Sequence, residues 1–104
     1  MTLEQFADFL AEIDPTATHY IGAGAQNYTV WAEYGQRPLV ADGERTEIVN
    51  LVQVDRFTIV EDDAIAAAIY AAFDATEEIA FSYEVDIDHE TRYIHHIFDC
   101  QVVL

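Results

Sequence analysis

The sequence predicts an α+β domain: a mostly antiparallel sheet of about four or five strands with two helices packed on it, in the order α-β-β-β-α-β-β. Three observations carry this. Two segments repeat apolar residues at helical spacing, Leu3–Ile13 and the run holding Ile65, Ile69 and Phe73. Ile79–Ile87 alternates apolar and polar residues without a break. A chain of 104 residues, 52% apolar, is long enough for one domain over 1–104 and too short for two.

The first helix starts at a capping box, with Thr2 as N-cap and Gln5 three residues on. Phe6, Leu10 and Ile13 form its core face. Asp14-Pro15 ends it, because a residue before proline is driven out of the α region. Thr18–Ile21 reads as a short strand and Gly22–Ala25 as a turn. A lone Gly-X-Gly without a third glycine and a following helix does not make a phosphate loop. Asn27–Tyr34 reads as a strand with Tyr28, Val30, Ala32 and Tyr34 on the main apolar face. Trp31 falls on the opposite face, where it covers a second small cluster or sits in a subunit contact. Gly35–Pro38 reads as a turn, Leu39–Ala41 as a short returning strand, and Asp42–Glu47 as a polar connection.

Ile48–Val60, a central strand, runs directly into a helix, Glu61–Ala75. Gln53, Asp55 and Arg56 among Val52, Val54, Phe57 and Ile59 leave neither strand face cleanly apolar, as in a strand covered on both sides or broken by a bulge. Glu61, Asp62 and Asp63 suit the positive end of the helix dipole. Ala68 and Ala72 beside the Ile65/Ile69/Phe73 stripe let the helix lie close on a sheet. After the polar break Ala75–Glu78 come the strand Ile79–Ile87, a turn at Asp88–Thr91 and the last strand, Arg92–Val103. Inner faces at odd positions in one strand and even in the next require paired numbers with an odd sum. A turn centred on His89 and Glu90 pairs Phe81 with Phe98, Tyr83 with His96, Glu84 with His95 and Val85 with Ile94.

Chemistry is sparse. His95 and His96 point to opposite faces of a strand, and His96 and Cys100 lie about 13 Å apart along one, too far for one zinc or for a nucleophile–base pair. Glu84, Asp86 and Asp88 read as a polar outer face rather than a carboxylate site. No catalytic, cofactor-binding or metal-binding residues are assigned, no cofactor is expected, and an enzyme is not expected. Cys100, the single cysteine, has no internal disulfide partner. No apolar run has the length of a membrane span, no signal peptide is read at the N-terminus, and no membrane partner is expected.

Charge is the strongest compositional fact. Twenty Asp and Glu stand against four Arg and no Lys, for a net −16. That excludes binding the outside of nucleic acid through its phosphates. Three readings fit: a solvated acidic surface, as in adaptation to high salt; an acidic wall past which DNA slides; or a DNA mimic that occupies a DNA-binding protein.

Several stretches in succession resemble the tail-terminator, or tail-completion, proteins of long-tailed phages. They are Tyr28-Thr29-Val30-Trp31-Ala32-Glu33-Tyr34-Gly35, Ala41-Asp42, Val52-Gln53-Val54-Asp55-Arg56-Phe57-Thr58, Phe81-Ser82-Tyr83-Glu84 and Arg92-Tyr93-Ile94-His95-His96-Ile97-Phe98. The likeness spans about Ile21 to Val103. It implies a structural virion protein at the head–tail junction, assembled in the host cytoplasm. Such a protein is a ring, usually hexameric, that caps the finished tail tube, stops its polymerisation and joins it to the head connector. The implied partners are further copies of the chain, the tail-tube protein, the connector or neck protein, and genomic DNA that passes without sequence-specific binding. Another neck or connector protein, or an acidic DNA-mimic inhibitor of a host DNA-binding enzyme, are the alternatives. In such a ring of acidic copies the few cations must provide local pairing. Arg37, Asp42, Glu44, Arg45, Glu47, Trp31 and Arg56 are the candidate interface or lumen residues, with Arg45 expected to bridge to a neighbour.

Overall fold

A computed structural model gives the fold. It describes residues 1–41 and 43–104, with the backbone alone at 39–41 and 44–46. The elements are α1 (Leu3–Ile13), β1 (Thr18–His19), β2 (Tyr28–Ala41), β3 (Glu44–Thr58), α2 (Ala64–Asp74), β4 (Ile79–Ile87) and β5 (Ile94–Val103). Among the described residues the sheet runs β1-β2-β3-β5-β4. Only the two-residue β1 pairs in parallel; the other neighbours are antiparallel. This is the α+β fold, and the element order, that the sequence predicts.

Both helices pack on one sheet face. Phe6 and Leu10 from α1, Ile69 and Phe73 from α2, Trp31 from β2, Val52 and Val54 from β3, Ile79 from β4, and Phe98, Cys100 and Val102 from β5 form one buried cluster. The capping box at Thr2 and Gln5 is present. Helix α2 begins three residues later than its acidic run suggests. Asp63 is its N-cap and accepts from the Ala66 N–H at 2.9 Å, so Glu61 and Asp62 lie before the first turn.

The strand reading needs three corrections. First, β2 does not turn at Gly35–Pro38; it continues to Ala41 and pairs with β3 throughout. The ladder steps from Glu33↔Val52 to Gly35↔Leu51, so Tyr34 is an inserted bulge residue. Pro38 is tolerated because β1 covers only Val30 and Trp31, which leaves this stretch of β2 on the sheet edge. The hairpin closes between Ala41 and Glu44, with Gly43 at φ 80°; Asp42 lies outside the described residues. Glu44–Glu47 therefore opens β3 instead of forming a connection, and β3 ends at Thr58, ahead of Ile59 and Val60.

Second, the faces of β2 are reversed. Thr29 and Trp31 pair with Arg56 and Val54, residues on the core side of β3, and both are buried. Trp31 is 7% exposed and meets Phe6 edge-on at 5.4 Å. It belongs to the main core, neither in a second cluster nor in a subunit contact. Tyr28, Val30 and Ala32 face away from the helices.

Third, the β4–β5 register is two residues out. Phe81 pairs with Cys100, Tyr83 with Phe98, Val85 with His96, Asp86 with His95 and Ile87 with Ile94. The odd sum, and with it every inner face, is as the alternation requires. The turn is longer because the Asp88 carboxylate accepts from the Glu90 and Thr91 N–H groups and Arg92 takes φ 64°. That loop carries the chain on to Ile94 before pairing starts. Burial of the apolar face also fades along β4: Ile79 is buried, whereas Tyr83, Val85 and Ile87 are 39%, 46% and 52% exposed.

Candidate interaction surfaces

Arg56 sits on the core face of β3 and is 4% exposed. Its guanidinium makes a two-pronged contact with Asp63, Nε to Oδ2 at 2.9 Å and Nη2 to Oδ1 at 3.3 Å. Its Nη1 donates to Thr29 Oγ1 at 3.4 Å and lies 3.8 Å from Asp14 Oδ2. One buried cation thus ties the end of α1, the start of α2 and two strands together. Burial alone raises the Asp63 pKa, but the Arg56 hydrogen bond, the Ala66 N–H and the Arg56 charge outweigh it and hold the group below the usual carboxylate range. Asp14 is likewise pushed up by burial and brought down further by Thr16, Thr29 and Arg56. Buried and paired in this way, Arg56 is a structural residue of the fold and is not presented to a lumen or a neighbour. The sequence did not mark this, because Asp14 is far from Arg56 in the chain and Asp63 reads as one of three acids at a helix start.

Of the other sequence-predicted interface residues, Arg37 and Glu47 are exposed and lie on opposite strands of the β2–β3 hairpin. Trp31 is in the core. Asp42, and the side chains of Glu44 and Arg45, lie outside the described residues, so the expected Arg45 bridge does too. β5 pairs with β3 only as far as Val49. Beyond that level the hairpin is a two-stranded ribbon, and the domain measures 49 × 25 × 24 Å.

The sheet face away from the helices is polar and aromatic. Phe57 stacks between Tyr28 and His95 at 4.9 and 4.1 Å. His95 Nε2 pairs with Asp55 Oδ1 at 2.6 Å, not with Glu84 as the expected register would have it. Tyr34, the bulge residue, donates to Asp99 at 2.5 Å, and that carboxylate raises the phenol's pKa. On the helix side, at the β1 edge, His19 and Tyr20 both bond Glu33, and His19 stacks on Trp31 at 4.0 Å.

A groove lies between α2 and the exposed half of β4, about 470 Å³ in volume and lined by Asp62, Ala66, Tyr70, Tyr83 and His96 among others. Tyr70 and Tyr83 meet edge-on at 5.4 Å. Tyr83 Oη and His96 Nδ1 are 2.7 Å apart, while His96 Nε2 is buried without a partner. Burial pushes the His96 pKa down. Sequence reasoning placed His96 near Tyr83 but missed the groove.

Among the described residues no group of His, Cys, Asp and Glu is arranged to hold a metal ion, and no helix is long and apolar enough to cross a membrane. Cys100 is buried and its thiol is pushed up to about 12 by burial, which makes it unreactive.

No protein-family model matches the chain, and no curated protein matches it. Among solved structures, the chain is similar to one in the virion of a native gene transfer agent (GTA) particle, with a TM-score of 0.52 and 16% identity over 91% of this chain and 84% of that one. The likeness is one of fold.

Proposed function

We propose that this protein is a structural subunit of a phage or prophage virion, and specifically the tail terminator. In this reading copies form a ring, six in number as is usual for the family it resembles. One ring face caps the completed tail tube and stops its polymerisation; the other receives the head connector or neck protein. The observation that carries the reading is a fold that matches a virion chain over most of both lengths, in a domain that offers surfaces and no convergent catalytic set among its described residues. The net charge of −16 supplies a mechanism for the lumen. An acidic wall repels phosphates, so genomic DNA slides through without being trapped.

Electron microscopy of particles assembled by the parent phage with this gene deleted tests the proposal. Filled heads beside detached tails of excess length are expected. Normal-length tails with leaking heads would move the protein to the connector side of the joint. Intact infectious particles would overturn both structural roles and leave the charge to be explained by mimicry of DNA.

A further inference from the structure

We propose that the groove between α2 and β4 receives the β2–β3 hairpin of a second copy of this chain, with Arg37 of that hairpin at the acidic rim beside Asp62. The inference rests on the ring reading and gives it a contact. The groove has the chemistry of a cation receptor. Tyr70 and Tyr83 present aromatic surface, Asp62 lines the groove with Glu61 exposed beside it, and among the described residues no arginine lines it. A guanidinium over a tyrosine face and next to a carboxylate is stabilised by both. Val85 and Ile87 extend the apolar floor along β4 past the reach of α2.

The hairpin has the complementary need. Past Arg37↔Val49 neither a helix nor a third strand pairs with it among the described residues. An isolated two-stranded ribbon is marginal in water, and an exposed β2 edge seeks a partner. Arg37 at the base of this ribbon and Pro38 just past it are exposed. The sequence of that strand, Arg37-Pro38-Leu39-Val40-Ala41, is one cation followed by four uncharged residues. In a chain of net −16, an acidic groove favours a contact with a segment that presents one of the few cations.

The groove and the hairpin of one copy cannot meet. His96 lies level with Arg56 on β3 and Arg37 level with Val49. The seven residue steps from Val49 to Arg56 span about 23 Å of strand, and β5 and β4 lie still farther across the sheet. The contact is therefore between copies and joins unlike surfaces, the head-to-tail arrangement that closes into a ring.

A cysteine pair tests it. Arg37→Cys and Asp62→Cys are combined in the full chain, whose own Cys100 is buried. Oxidation followed by non-reducing electrophoresis should give a ladder of linked copies ending at the ring size, with neither single variant doing so. In parallel, sedimentation of Arg37→Glu and of Asp62→Arg should show self-association weakened by roughly tenfold or more, and the double charge swap should recover it. A native ring with no ladder, and unchanged by either charge variant, overturns the hairpin contact and leaves the ring. A native protein that stays monomeric at all concentrations overturns both.

Discussion

Arg56 and Arg37 both lie within strands of a chain short of cations, Arg56 in the central strand β3 and Arg37 in the stretch of β2 that the sequence reads as a turn. The fold gives them opposite fates. Arg56 is 4% exposed and held between Asp63, Asp14 and Thr29. Arg37 is exposed on a ribbon that leaves the domain body. The difference is one of ladder position. Arg56 lies where both helix ends converge on the sheet, so its charge is matched by carboxylates that those ends bring in. Arg37 lies level with Val49, the last residue of β3 that β5 reaches. A cation's role in this protein is set by which elements overlie its strand, and that is a tertiary fact.

Removal of each cation should separate the two roles. Arg56→Ala leaves the buried Asp14 and the half-buried Asp63 without their cation and should cost about 3–5 kcal/mol. Arg37→Ala touches a solvated site and should stay within about 0.5 kcal/mol. Urea denaturation of the isolated subunit reads both. Equal costs would show that Arg56 is not the tie that its geometry indicates.

Adjacent acids make a second contrast. Asp63 caps α2 and grips Arg56; Asp62, with φ 54°, sits in the turn before it. Asp63→Ala should lose about 1 kcal/mol of cap together with the ion pair, yet less than Arg56→Ala, since Asp14 still faces the arginine. Asp62→Ala should be close to neutral for folding. Thermal melts of the two variants decide it, and a destabilised Asp62→Ala would mean that Asp62 supports the turn as much as it lines the groove.

Much of this fold was legible, and the unread parts have identifiable causes. Capping-box chemistry fixed α1 almost to the residue, because the signal is local. Alternation in β4 gave its strand bounds and its inner face. It did not tell how much of that face is covered. Eleven helical residues rise about 16 Å, whereas nine strand residues extend about 30 Å, so α2 covers only part of β4 and leaves Tyr83, Val85 and Ile87 open. That mismatch was available from the two element lengths. The reversal of β2 was harder to see. Thr29 and Trp31 look like the minority face until Arg56 is known to be buried, and nothing local marks that burial. The Gly35–Pro38 stretch carries turn residues, but an edge strand with a bulge uses the same glycine and tolerates the same proline. Of the interface candidates, Trp31 and Arg56 proved to be core residues because the helix residues that cover them, Phe6 over Trp31 and the Asp14 and Asp63 ends over Arg56, are placed by the tertiary fold.

The smallest expected effect concerns pH and separates the buried junction from the groove beside it. Asp14 and Asp63 have folded pKa values below their ordinary ones. Their stabilisation is complete above the unfolded value near ~3.9 and is lost as pH falls through the lower folded values. His96 is also depressed, by burial, with the Asp63 charge acting against that and the Arg56 and His95 charges adding to it. Below its unfolded value of about 6.5 the unfolded chain takes up the proton first. Stability therefore falls as pH drops from 6.5 toward the folded pKa of His96, before the carboxylates contribute. Protonation of the many surface acids relieves self-repulsion and runs the other way, so the informative quantity is the difference between the native protein and His96→Gln. That difference should favour the native protein more at pH 7.5 than at pH 5 by an amount flat above about 7, read from urea midpoints at stepped pH. A difference independent of pH across this range would mean that His96 gains access to water as easily as an unfolded histidine, and that the groove floor is wetter than its buried, unpartnered nitrogen implies.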